Sequence, residues 1–493
     1  MDIQFNETTV QTCQDLARLS KAAQLAMESV VPDTKDDIGR ILSVRPEIYL
    51  KSKELRNRGA LIGGEAVVTV LYINENESAV SSFSLSQSFS QEYEMAAADD
   101  GDLLQVRLSV SGLQARVLNP RKVSVDLEIC SELTVSRSTD FVVSQALPND
   151  LWTPIHVQRA ESSAIFYTGV SEKSFSLNEQ LQFPEHDLKP KEIIGKEICY
   201  CIRDRETVGT RLLIKGDAQM TLHFFPEDSD LPCSRQFQMP FSQLIDLGEN
   251  EAEEAEVWIE PTSDYVNLMD SIDGRKLLDV ELHALAQARS RRRQKIEYIS
   301  DAYSNQMPCE CSFCEQTITE SISEQQLYLS ADESIEVPEE FQELLACYPT
   351  LGQCSSNQGN IVVDLLCRAK DGKLFSMRRN IILTSGTESG EMTNVSFRVT
   401  DFDVRQSGGF FIVRVRAEGE GLEQHQTQVR RISTLQLNAE KAFDSAAYPA
   451  LTAVWAETES VWELAKLYHS SPEAICALNE DLSRQPVFIP KAK

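Results

Sequence analysis

The side chains best suited to chemistry in this 493-residue chain are scattered rather than gathered. The densest group is Cys309, Cys311 and Cys314, in the stretch CECSFC, with Cys347 and Cys354 downstream. A structural zinc site takes four ligands, usually from Cys-x2-Cys knuckles, and only Cys311 and Cys314 have that spacing. The favoured reading is therefore a set of reduced thiols in a linker, with no metal. The six histidines, His156, His186, His223, His283, His425 and His469, show no two-ligand spacing on a helix. His283 falls on the polar face of a strand pattern and is expected to be solvated. There is no G-x-S-x-G elbow and no G-x-x-x-x-G-K-[ST] phosphate loop. Gly419-Glu420-Gly421 is half of a dinucleotide fingerprint and reads as a turn. Asp401-Phe402-Asp403 reads as a solvated loop, because two carboxylates make a poor cation site. No catalytic residue and no cofactor is expected, so the chain reads as a non-enzyme.

Charge narrows the possible partners. The chain carries 47 Lys and Arg against 76 Asp and Glu, a net charge of −29, with a pI near 4.7. Such a surface repels phosphate backbones and anionic lipid, which disfavours nucleic acid and membranes and favours a basic protein surface. No apolar run approaches the roughly 20 residues of a membrane span. The N-terminus lacks the basic and apolar regions of a secretory signal, so a cytosolic protein with reduced cysteines is expected. Two charge runs stand out. Arg289, Arg291, Arg292, Arg293 and Lys295 form a basic island, read as a solvated strand end that discourages edge pairing. Glu249 to Glu256 is read as an exposed acidic loop.

The elements that would position these groups show up as repeats. LIGGEAVVTVLY, from Leu61, recurs as LIKGDAQMTLHF, from Leu213, at an offset of 152, and more faintly as GNIVVDLLC from Gly359. Upstream of each copy lies an apolar-Pro-acid element, at Val31-Pro32-Asp33, Phe183-Pro184-Glu185 and Val337-Pro338-Glu339. Downstream lies an alternating strand: Val123, Val125, Leu127 and Ile129 share one face, then Leu278, Val280, Leu282 and Ala284, then Phe411, Val413, Val415 and Ala417. Period-two alternation is the pattern of a strand with one face on a core and the other in water. A repeat of this length is long enough to be a domain, and many short strands with polar turns, such as NENES from Asn74 and PEDSD from Pro226, predict antiparallel sandwiches. Residues 1–30 read as a lead-in with a helix from Thr12 to Glu28.

After Leu451 the period changes. Ser460 and Glu463 form a capping box, followed by Val461, Leu464, Ala465 and Tyr468 on one helical stripe. Ser471-Pro472 opens a second helix that buries Ala474, Ile475 and Leu478 and ends at Asn479. Short strands at Ala453 to Ala456 and Val487 to Ile489 flank the pair, giving strand, helix, helix, strand. Residues 454–490 resemble a LysM domain, through the helix VWELAKLYHSS, Leu478-Asn479 and the closing Phe488-Ile489-Pro490. The family's Gly-Asp-Thr turn is replaced here by Glu457-Thr458-Glu459-Ser460, which weighs against glycan binding. Trp455 and Trp462, with Glu459 and Val461 beside them, are the candidate partner-binding residues; Trp462 serves equally well as core filler.

As a whole the chain resembles the SipL-like family of SPOCS-domain coat proteins of spore-forming clostridia. The residues behind this are Pro32, Pro184 and Pro338, Gly64, Gly216 and Gly359, and the Arg-Lys strands at Arg121 and Arg275. The resulting layout is a mainly β chain: lead-in 1–30, sandwich-like SPOCS repeats at 31–160, 161–300 and 315–436, a cysteine-containing linker at 301–314, a linker at 437–449 and a small α+β LysM domain at 450–493. The resemblance implies a mother-cell scaffold at the forespore surface that helps assemble the spore coat and binds the coat morphogenetic ATPase through its LysM domain. A peptidoglycan-binding LysM protein is the alternative.

Overall fold

The computed structural model describes residues 2–491 except 96–97, 100, 150, 152–153, 185–187, 230, 249–251, 272–274, 387–389, 391, 445–447, 456–459 and 482. It is mainly β. After a two-residue strand β1 (Asp2–Ile3), one strand order occurs three times. The first unit comprises β2 (Asn6–Val30), β3 (Ile38–Arg56), β4 (Gly59–Asn74), β5 (Val80–Glu94), β6 (Leu103–Asn119) and β7 (Lys122–Ala146). The second comprises β8 (Ile155–Gln182), β9 (Pro190–Val208), β10 (Arg211–Pro226), β11 (Cys233–Asp246), β12 (Glu254–Asp270) and β13 (Lys276–Ser304). The third comprises β14 (Cys309–Glu336), β15 (Phe341–Cys354), β16 (Gln358–Ala369), β17 (Leu374–Thr384), β18 (Thr393–Ser407) and β19 (Phe410–Leu437).

In each unit the second, third and fourth strands form an antiparallel meander, while the last strand pairs antiparallel with both the first and the fifth. The two layers close on apolar side chains. Val68, Val70 and Tyr72 of β4 and Phe83 of β5 pack with Met27 of β2 and Val123, Val125, Leu127 and Ile129 of β7. Ala218, Met220 and Leu222 of β10 meet Leu278, Val280 and Leu282 of β13. Ile361, Val363 and Leu365 of β16 meet Phe411, Val413, Val415 and Ala417 of β19. The faces buried are the ones that period-two alternation assigns to the core.

The repeated motifs have physical roles in this arrangement. Gly64 lies on β4 under the ring of Phe89, and Gly216 lies on β10 under Phe241; a Cβ at either would collide with that ring and with a carbonyl of the preceding strand. Phe89 and Phe241 share the 152-residue offset of the glycines. Arg121, in the β6–β7 turn, donates to the Val31 and Lys35 carbonyls at 2.8 and 2.9 Å and to Asp33 and Asp37 at 3.2 and 3.0 Å. The Pro-acid element and the Arg-Lys element are thus two halves of one clamp in the first unit. In the third unit a backbone bond, from the Val337 amide to the Gly409 carbonyl at 2.9 Å, joins the corresponding segments.

Four expectations are corrected here. Residues 6–30 are not a helical lead-in but β2, an edge strand paired along its length with β7. Its Ala, Gln and Leu suit a helix, but an antiparallel partner and a buried Met27 outweigh that propensity. Cys309, Cys311 and Cys314 open β14 rather than lying in a linker. Asp401-Phe402-Asp403 is inside β18, where Asp403 pairs with Arg405 at 2.6 Å, and Gly419-Glu420-Gly421 is inside β19, with Gly419 pressed under the Phe397 ring. Pairing of β18 with β19 places both segments in strands, a conformation that composition alone left open.

The units pack on one another. Leu42, Leu71 and Ile73 of the first, Ile194 and Phe225 of the second, and Tyr348, Leu366 and Leu374 of the third share one apolar cluster. A second cluster joins Phe141 and Val143, Phe166 and Ile296, and Ile318 and Val429. A smaller element follows: β20 (Leu451–Val454), α1 (Val461–Leu467), α2 (Pro472–Leu478) and β21 (Val487–Pro490), with β20 and β21 antiparallel. Among the described residues no helix is long and apolar enough to cross a membrane.

Candidate functional site

The C-terminal element holds itself together locally. The Glu463 amide donates to Ser460 Oγ at 3.2 Å and the Ser460 amide donates to the Glu463 carboxylate at 2.7 Å, completing the capping box. Ser471 caps α2 through the Ala474 amide, with Pro472 in the first turn. Asn479 ties the helices to β21: its Nδ2 donates to the Ile475 and Phe488 carbonyls at 2.8 and 2.7 Å, and its Oδ1 accepts from the Phe488 amide at 2.8 Å. Leu464, Ala465, Ile475, Val487 and Ile489 form the core, together with Tyr303 from β13.

Tyr303 marks the seam where this element docks. Its hydroxyl donates to the Ser470 carbonyl at 2.8 Å, and its ring meets Trp462 edge-on with centroids 4.9 Å apart. Trp462 Nε1 and Lys466 Nζ both donate to Asp301, each at 2.7 Å. Trp462 is therefore committed to an internal contact with the second unit, and Val461 is partly buried against the same core. Trp455 is 72 % exposed, and Glu459 lies outside the described residues. The helices cover one side of the β20–β21 sheet; on the other, Leu451, Ala453 and Phe488 face outward, with Trp455 just beyond. Leu451, Phe488 and Trp455 form an apolar face with no covering segment among the described residues.

The basic island lies inside a strand rather than at its end, and it is solvated only in part: Arg293 and Lys295 are exposed. Arg289 and Arg291 lie in mid-β13 and are about 4 and 5 % exposed. Arg289 donates to Asp15 at 2.5 Å, and its guanidinium stacks on Tyr167 at 3.5 Å from the ring centroid. Arg291 donates to Glu254 and Glu256, both at 2.8 Å. Burial works against the Arg291 charge, but Glu256 and Glu254 hold its pKa above the usual guanidinium value. Glu256 also accepts from the Tyr167 hydroxyl at 2.9 Å and from Asn394 of the third unit at 3.1 Å. The acidic run is corrected with it: Glu254 and Glu256 belong to β12, Glu256 is buried, and Glu249 to Glu251 lie outside the described residues. Arg289 and Arg291 are buried against carboxylates that range from buried Glu256 to largely exposed Glu254, and through Asp15 and Glu256 this part of the island serves cohesion between units.

The other singled-out groups are dispersed. His223 is buried between Arg45 and Tyr348, where burial and the Arg45 charge push its pKa down to about 3 and keep it neutral. His283 Nε2 donates to the Glu281 carboxylate at 2.9 Å near the surface, and His156 stacks on Tyr303. His186 lies outside the described residues. Cys311 directs its thiol to the Ala302 carbonyl at 3.3 Å, whereas Cys347 and Cys354 belong to β15. Among the described residues no three His, Cys, Asp or Glu side chains are grouped to hold a metal ion.

Sequence reasoning overlooked a cleft of about 450 Å³ where the three units meet, lined by Arg107, Cys201, Glu260, Arg398 and Glu420 among others. The Cys-x-Cys spacing at Cys199 and Cys201 was a visible signal for it; Arg398, almost 200 residues away, was not.

Residues 37–118 match the family model described as SipL, SPOCS domain. That stretch runs from just before β3 through nearly all of β6, so it takes in the first meander and the strand after it. No curated protein and no solved structure matches the chain.

Proposed function

We propose that this protein is a sporulation protein, a non-enzymatic scaffold of the spore coat built from three copies of one sandwich domain and a LysM module that binds the coat morphogenetic ATPase. The SPOCS-domain match at 37–118 supports the family reading, and the recurrence of the same strand order in residues 155–304 and 309–437 supports extending it to two further copies. The strand-helix-helix-strand order of residues 451–490 supports the LysM reading. In this reading the scaffold works in the mother-cell cytosol, at the forespore surface.

The observation that carries the partner assignment is the two-sidedness of the module. Its helix side is taken up by Asp301 and Tyr303, while its sheet side offers Leu451, Trp455 and Phe488 to a partner. Exposed Trp and Phe on a rigid strand pair bring large contact area at small entropic loss. The decisive experiment is co-purification of the coat ATPase with the full-length protein and with a Leu451→Ser, Trp455→Ser, Phe488→Ser variant. Loss of ATPase from the variant, with its circular dichroism unchanged, is the expected outcome; equal recovery would refute the assignment. Retention of the unaltered chain on peptidoglycan sacculi, lost in the same variant, would make the module a glycan binder instead.

A further inference from the structure

The cleft between the units contains a pair of thiols in an arrangement that the scaffold reading does not use. Cys199 and Cys201 project from the same side of β9, their Sγ atoms 3.9 Å apart. Arg398, on β18 of the third unit, places Nη1 2.9 Å from Cys201 Sγ. Cys199 is exposed and Cys201 partly so, and both line the cleft, so small solutes can reach them. The nearby Asp217 disfavours a thiolate, but it is engaged in an ion pair with Arg203. The Cys199 thiol, donating to Cys201, and then Arg398 draw the Cys201 pKa below the usual thiol range against the effect of burial, while Cys199 is pushed up and keeps its proton. An electropositive, partly exposed setting of this kind is what separates reactive cysteines from inert buried ones.

We propose that Cys201 is a redox-reactive thiolate and Cys199 its resolving thiol, so that a hydroperoxide converts the pair to a disulfide and deprives Arg398 of its partner. The Cys201 sulfur attacks one peroxide oxygen; an S–O bond forms, the O–O bond breaks, and the departing oxygen leaves with the electron pair and takes a proton from water. The Cys199 sulfur, losing its proton, then attacks Cys201; an S–S bond forms and the hydroxyl leaves as water. Two thiols are oxidised by two electrons in all, and the peroxide is reduced to water and an alcohol, or to two waters from hydrogen peroxide. Closing 3.9 Å to a bond of about 2.05 Å falls to β9 itself, which is bulged at Arg203, two residues past Cys201 and opposite Lys215 and Gly216 of β10. Because Arg398 belongs to another unit, oxidation acts on the seam between the second and third units.

The chain supplies a comparison pair. Cys309 and Cys311 have the same spacing, and the Cys311 thiol likewise draws the Cys309 pKa down, to about 7, but the cation nearest that pair, Lys466, is bound to Asp301, whereas Arg398 lies directly on the Cys201 sulfur. The test uses the reduced full-length protein, a short iodoacetamide pulse at pH ~6.5, and peptide mass spectrometry. Cys201 should be labelled at least ~10-fold faster than the exposed Cys476 and ahead of Cys309. Arg398→Met should slow that labelling by about tenfold, the equivalent of one pKa unit. Hydrogen peroxide should yield a peptide lighter by two hydrogens, bridged between Cys199 and Cys201, and Cys199→Ser should instead accumulate a dimedone-reactive Cys201. Labelling of Cys201 no faster than Cys476, labelling of Cys309 first, or peroxide-treated protein with Cys199 and Cys201 both free would each overturn the proposal. Should Arg398→Met fail to fold, the ranking of thiols in the unaltered chain and the Cys199→Ser trapping decide it without that variant.

Discussion

β13 and the C-terminal module touch at Asp301 and Tyr303, yet they are stabilised over opposite ranges of the chain. The module relies on neighbours: Ser460 with Glu463, Ser471 with Ala474, Asn479 with Phe488 nine residues on. β13 relies on strangers, with Arg289 reaching back 274 residues to Asp15 and Arg291 reaching 35 residues to Glu256. Those local bonds link residues a few positions apart and need no distant strand to supply their partners, although helices of seven residues hold only when packed. Long-range buried charges are satisfied only when several strands are in place, so removing one partner leaves another charge stranded.

Arg291→Met should therefore show the largest effect, a loss of about 3–5 kcal/mol, because Glu256 is left buried without its cation. Denaturant unfolding measures it, and the double variant with Glu256→Gln should recover much of the loss. A single-variant loss below about 1 kcal/mol would erase the contrast with the module.

The pH dependence of the interior sharpens it further. Glu260 is buried, with the Leu108 amide 3.4 Å away, and burial pushes its carboxyl up to about 8 from an ordinary value of 4.5. The folded chain thus keeps a proton that the unfolded chain has already released. Its contribution to stability is full below about 4.5 and is lost as pH climbs through about 8. Melting temperatures taken across that window should fall for the unaltered chain and stay flatter for Glu260→Gln; parallel curves would remove Glu260 from the account.

Arg121→Ala should cost the first unit about 1–3 kcal/mol by freeing residues 31–37 from their clamp. Amide exchange should rise there while the corresponding segment of the third unit, at Val337, is unaffected. The smallest effect belongs to the module: Ser460→Ala should cost about 1 kcal/mol, and faster exchange confined to the first turn of α1 should report it.

Legibility followed the same division. Alternation marked Val123 to Ile129 and Phe411 to Ala417 as core faces, and the module's capping box could be read residue by residue, since each pattern repeats within a few positions. The strand at residues 6–30 was hidden because an edge strand with one wet face keeps helix-favouring residues such as Ala22, Ala23 and Leu25. The basic island misled for a related reason: arginines look solvated until carboxylates arrive from β2 and β12. The motif pair around Pro32 and Arg121 was visible as two elements, but their contact needed β6 and β7 to bring them together.

What the amino-acid order determined alone is whatever rests on short-range geometry: which faces of the strands are apolar, where the two helices begin and end, and that one strand pattern recurs. The tertiary structure decided which charges are buried, which side of the C-terminal module is free, and that Cys201 lies against Arg398. Those depend on groups brought together from distant parts of the chain, and burial, which sets the strength of every charge and hydrogen bond among them, exists only once the layers have closed.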